Sequence, residues 1–167
     1  MKTFLQHDPR DCGIACLRSV LHAQGNLSSV DSLRQIAATT TSGTSLLGLR
    51  SAAQRLGFEA KALTAELGDI ASLELPCILH WDSSHYVLLW RVHKGRALIG
   101  DPALGKNIWW KLEDVNKHWA GNYFGCVQVQ ILFVVILRVN AVGLGYWCIL
   151  GSFAARVKYC SRLLWEH

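Results

Sequence analysis

The chain has 167 residues, 51% of them hydrophobic. That is enough for one ordinary domain with a real core, and too apolar for intrinsic disorder. The formal charge of +5 is uneven: residues 1–130 hold 13 Lys/Arg against 11 Asp/Glu, and residues 131–167 hold 4 against 1. The larger part therefore lacks the basic excess of a nucleic-acid binder, and no nucleic-acid partner is expected.

MKTFLQHDP at the N-terminus has no apolar run of the kind a secretory signal needs. Asp11 is placed to cap a helix beginning at Cys12. Ile14, Leu17 and Leu21 recur at helical spacing, Ala15 and Val20 widen the stripe, and Gly25 can end it. Ser28 with Asp31 resembles a capping box before a second helix carrying Leu33 and Ile36. TTTSGTS reads as a loop. Ser45 then caps a third helix with Leu46, Leu49, Ala53 and Leu56 inward, closed by Gly57.

The period changes after these helices. PCILHW and HYVLLWRV read as strands, HKG as a turn, and RALIGD as a third strand. NIWWKL is strand-like, EDVNKHW suggests a short helix, and YFGCVQVQI is extended again. Helices followed by a mostly antiparallel sheet make an α+β fold. Trp81, Trp90, Trp109, Trp110 and Trp119 are expected mostly in its core.

The domain expected from this pattern spans residues 1–130. Residues 131–167 read as an apolar, basic tail continuing the last strand. Within it AVGLGYWCILGSFAA is fifteen residues long, short of the ~20 that a bilayer span needs. The tail is a possible start of a membrane-entry segment.

The six cysteines (Cys12, Cys16, Cys77, Cys126, Cys148 and Cys160) lie in apolar patterns with no CxxC pair. This favours free thiols over disulfides. Cys12 stands out because the expected helix N-terminus would favour a thiolate there. A cysteine nucleophile needs a base and a group to orient that base. Of seven histidines, His85 heads an apolar strand, and Asp101 ends the next one. A turn near HKG would bring those two ends together, as a carboxylate fixing an imidazole tautomer requires. Each residue also has a plain structural reading: a buried small hydrophobe, a strand-end histidine, a turn-forming Asp-Pro. Cys12, Cys16 and His85 or His80 make only a weak zinc pattern.

The segment QHDPRDCGIACLRSVLHAQG resembles the N-terminal motif of the C39 cysteine peptidases. LPCILHWDSSHYVLLWRV is similar to their histidine motif and IGDPALGK to their Asp-Pro motif. SLLGLRSAAQRLGFEAKAL and HWAGNYFG also match the family's layout. The resemblance covers residues 3–130 in the expected order. It implies a papain-like fold, with the N-terminal helical half packed on the sheet. It also implies a cysteine endopeptidase that cuts leader peptides after a Gly-Gly pair, coupled to export of bacteriocin-like peptides.

Carried over position by position, Cys12 matches the nucleophile, His85 the general base and acid, Asp101 the orienting residue and Gln6 the oxyanion-hole donor. No cofactor or metal is implied. The implied partners are a double-glycine leader peptide and the membrane and ATPase domains of an ABC exporter. The implied location is the cytoplasmic face of the bacterial inner membrane. No GxxxxGK[ST] phosphate-binding motif occurs in these residues. A non-catalytic, substrate-recruiting domain of an exporter is the alternative reading, and a thiol transacylase or transglutaminase-like enzyme would use the same triad.

Overall fold

In the computed structural model, which describes residues 1–128, the first helical run is capped by Asp8 rather than by Asp11. Asp8 has the extended backbone that a cap needs, and its carboxylate accepts the Arg10 N–H at 2.9 Å. Pro9, with its φ already fixed, opens a 3₁₀ turn, Pro9–Asp11. That turn leads directly into α1, Cys12–Ala23. Asp11 thus has a near-helical backbone, and its side chain makes no cap bond. Along α1, Ile14, Cys16, Leu17, Val20 and Leu21 are fully buried, which is the stripe the spacing predicts.

Ser29, not Ser28, caps α2, Val30–Ile36, by accepting the Ser32 N–H. Ser28 is instead taken up by Asn26, whose Oδ1 accepts from both its N–H and its hydroxyl. α3, Leu46–Arg55, is capped by Ser45 as expected, through the Gly48 N–H. It ends at Gly57, whose φ of +84° is a conformation that favours glycine.

Six antiparallel strands follow: β1 Phe58–Thr64, β2 Cys77–Trp81, β3 His85–His93, β4 Arg96–Asp101, β5 Lys106–Lys111 and β6 Trp119–Gln128. Their order across the sheet is β1-β6-β2-β3-β4-β5, and a short helix α4, Leu112–His118, joins β5 to β6. β1 is a strand that the sequence reading missed. Only Phe58 and Ala60 of FEAKALT are buried, so its alternation is too short to read.

The sheet carries a core on each face. Ile78, Tyr86, Leu88, Trp90, Leu98 and Phe124 pack with α1, α2 and α3. Leu79, Trp81, Val87, Leu89, Ile99 and Trp119 form the second layer with Ile70 and Val115. Strands buried on both sides explain why CILHW and HYVLLW read as unbroken apolar runs. Trp81, Trp90 and Trp119 are buried as expected, and Trp110 is partly so. Trp109 is 41% exposed on edge strand β5, a correction to its expected core position.

The stretch expected to enter a membrane lies outside the described residues. Among the described residues no helix is long and apolar enough to cross one.

Candidate active site

Cys12 is the first residue of α1, His85 the first of β3 and Asp101 the last of β4. β3 and β4 are antiparallel neighbours, with Leu88 opposite Gly100 and Leu89 opposite Ile99. The register therefore brings the start of one strand beside the end of the other. α1 lies across this corner. Gly13 permits the close approach: a Cβ there would stand 3.2 Å from the Tyr86 ring and 3.4 Å from Leu49.

The three side chains form a line. His85 Nε2 lies 2.9 Å from Asp101 Oδ1. The imidazole also faces the Cys12 thiol closely enough for each group to shift the other's pKa. With Nε2 turned to the carboxylate, Nδ1 is the nitrogen left for sulfur. Asp101 is itself held, because the same Oδ1 accepts the Ala103 N–H at 2.9 Å in the turn that follows Pro102. His85 and Asp101 side chains are each about a quarter exposed. They are ordered by the strands yet reachable from solvent.

The electrostatics favour charge separation. Burial pushes the Cys12 thiol up. Hydrogen bonds from His85 and from the Tyr86 and Gly13 backbones, with the charge on His85, outweigh that cost and hold the thiol below its ordinary value. The same contacts act in reverse on His85. The bond to Cys12 raises its pKa most, burial opposes, and the Asp101 bond and both partners' charges add to the rise. Both shifts run in the direction that favours a thiolate–imidazolium pair.

Gln6 lies beside this line on an N-terminal segment bound to the loop after β4, where its N–H donates to Pro102 O at 2.8 Å. Its Oε1 is buried with no hydrogen-bond partner among the described residues. Upstream, the Thr3 hydroxyl accepts the Trp90 indole N–H at 2.8 Å and donates to Asn107 Oδ1 at 2.5 Å. This cluster sits over Gly100, where a Cβ would collide with the Thr3 hydroxyl and come within 2.5 Å of the indole nitrogen. The four residues singled out from the sequence are thus brought to one corner of the fold, with His85 and Asp101 in direct contact.

Cys16 does not join the line, because its thiol donates to Tyr86 O at 3.3 Å inside the core. Cys12, Cys16 and Cys77 are free thiols. Sequence reasoning missed the backbone of Tyr86 and the Thr3–Trp90–Asn107 cluster. A main-chain donor leaves no residue-type signal. Thr3 and Asn107 stand 104 positions apart with nothing in either segment to link them.

A sequence model described as the peptidase C39 family matches residues 1–128. The chain is 34% identical over 145 residues to the probable microcin-H47 secretion/processing ATP-binding protein of Escherichia coli, a match covering 82% of this chain and 21% of that protein. It is 34% identical over 126 residues to the colicin V secretion/processing ATP-binding protein of Escherichia coli, covering 75% and 17%. The chain therefore spans about one fifth of the length of these relatives.

Among solved structures, a double-glycine motif protease from an AMS/PCAT transporter, in complex with the leader peptide, superposes with a TM-score of 0.72 at 25% identity. That match covers 77% of this chain and 92% of the other. The peptidase domain of Streptococcus ComA, described as a bi-functional ABC transporter, superposes with a TM-score of 0.70 at 31% identity, covering 76% and 98%.

Proposed function

The chain belongs to the peptidase C39 family, and from that premise we propose that it is a cysteine endopeptidase that cuts leader peptides after a Gly-Gly pair. The observation that carries this reading is the line Cys12–His85–Asp101, with the thiol lowered and the imidazole raised by one another. An inert buried cysteine has no use for such a pair.

In the proposed reaction the Cys12 thiolate attacks the carbonyl carbon of the second glycine. A C–S bond forms as the carbonyl oxygen becomes an oxyanion. The Gln6 amide and the Cys12 backbone N–H donate to that oxygen. The protonated His85 gives its proton to the departing amine as the C–N bond breaks, leaving a thioester. Water then attacks the thioester and gives a proton to His85. The thiolate leaves, the leader carboxylate is released, and the ion pair is restored. Asp101 holds the imidazole orientation and the charge on it throughout. Two glycines before the cut suit a cleft too narrow for side chains.

The same reading takes residues 1–130 as the peptidase domain, with 131–167 as an apolar basic stretch beyond it. Its partners are the membrane and ATPase domains of an exporter of bacteriocin-like peptides, and its place is the cytoplasmic face of the inner membrane. Support comes from relatives whose names join secretion and processing to ATP binding.

The test is a synthetic leader ending in Gly-Gly followed by a few mature residues, incubated with wild type and C12A and read by mass spectrometry. A single cut after the second glycine, absent with C12A, is expected. Leader binding by folded wild type without any cut would overturn the peptidase reading and leave substrate recruitment in its place.

A further inference from the structure

The residue directly before the nucleophile is an acid. Asp11 is only 3% exposed, and its backbone is committed to the turn entering α1. An unpaired carboxylate there would be costly to bury and would oppose a thiolate at the next residue. The fold answers with Arg34, from α2. Its Nε donates to Asp11 Oδ1 at 2.9 Å, and its NH2 donates to Oδ2, a two-point fork across 23 residues of sequence. Arg34 NH1 also reaches Asp31 at 3.1 Å, which fixes the guanidinium from its own helix.

The geometry points to Arg34 as a positioning residue for the nucleophile. It neutralises Asp11 and ties the first turn of α1 to α2, so that Cys12 meets His85 without an adjacent unpaired anion. This rests on the peptidase reading above. The other titratable groups around Cys12 are His85 and Tyr86 on β3, Asp101 on β4 and Cys16 on α1 itself. Only His85 is a cation, so the anion at position 11 needs a cation of its own. Asp11 makes no cap bond to α1 and could be dispensed with as a cap. Its use is the attachment to Arg34.

The test reads the pH midpoint of Cys12 alkylation by iodoacetamide, with peptide mapping, alongside kcat/KM for leader cleavage. R34M is expected to raise the midpoint by about one unit and to lower both neutral-pH alkylation and kcat/KM roughly tenfold. R34K, which keeps the charge, is expected to hold the midpoint near that of wild type. D11N/R34M removes both charges and is expected to recover most of the midpoint shift. A purely structural role would not give that recovery. An unchanged midpoint in R34M, or a double variant as shifted as R34M, overturns the inference. Alkylation needs no leader, so failure to cleave a peptide leaves this test intact. A wild-type midpoint at the ordinary thiol value would instead sink the thiolate reading of the site, and this inference with it.

Discussion

Cys16, one turn after Cys12 on α1, donates its thiol to the carbonyl oxygen of Tyr86 at 3.3 Å, and the backbone of the same Tyr86 helps to lower the Cys12 thiol. One residue thus acts on two sulfurs whose pKa values are shifted in opposite directions. Tyr86 directly follows His85, so it also fixes nucleophile and base in one register.

This contrast predicts site-selective chemistry. Burial pushes the Cys16 thiol well up, with the nearby Cys12 and Asp101 charges adding to the rise. Burial alone pushes Cys77 up to about 12. Only the thiolate reacts with iodoacetamide. At neutral pH, Cys12 should be alkylated at least a hundredfold faster than Cys16 or Cys77 in the folded protein, with the difference collapsing in denaturant. Mass-spectrometric mapping of a time course checks it. Comparable rates for all three in the folded state would remove the case for an activated Cys12.

The pH profile follows from two opposed shifts. Cys12 is lowered and His85 raised, and both directions favour the charged pair between the two titrations. kcat/KM should rise as pH climbs through the Cys12 ionisation and fall as His85 loses its proton. Removing the imidazole in H85A deletes the main stabiliser of the thiolate. The Cys12 alkylation midpoint should then move up, toward or beyond the ordinary thiol range, since burial still acts. A midpoint that stays put in H85A would show that the backbone donors alone hold the thiolate.

Asp101 and His85 should not be equally costly to lose. His85 moves the proton, and a positioned general base and acid contributes typically 10²–10⁴-fold. Asp101 contributes one charged hydrogen bond to His85, so D101A should cost about tenfold to a hundredfold in kcat/KM. D101A should also lower the alkaline limb of the pH profile, because one of the contacts raising His85 is gone. A larger defect in D101A than in H85A would reverse the assignment of roles.

The fold class was legible in the change of period from helix to strand, while the roles expected of Cys12, His85 and Asp101 came from the family resemblance. Cys12, His85 and Asp101 each stand at the end of an element with strong periodicity, so their positions could be read, but not their roles. Capping was harder to read. Asp8 and Asp11 are equally good caps by type, and so are Ser28 and Ser29. The choice was made by a proline opening a 3₁₀ turn and by Asn26 capturing Ser28. β1 escaped because an edge strand half open to solvent needs little hydrophobic pattern. Its partner β6 supplies the pairing instead, with Phe58 opposite Gln128 and Thr64 opposite Asn122.

The last prediction concerns Gly100, which no catalytic argument touches directly. It precedes Asp101 on β4, and its missing side chain makes room for the Thr3 hydroxyl, the Trp90 indole and Asn107 Oδ1. Those three groups bind the N-terminal segment to the sheet three residues before Gln6. In G100A the methyl group must displace both the Thr3 hydroxyl and the buried Trp90 indole. Overpacking of this kind costs about 1–3 kcal/mol. Denaturant unfolding should show that loss of stability, and kcat/KM should fall as well if the displaced segment carries Gln6 away. T3A in the same background separates the two effects. It removes the colliding hydroxyl, so stability should partly recover. The activity should stay low, since the segment has lost its hydrogen bonds to Trp90 and Asn107. Full recovery of activity in G100A/T3A would show that this cluster does not position Gln6.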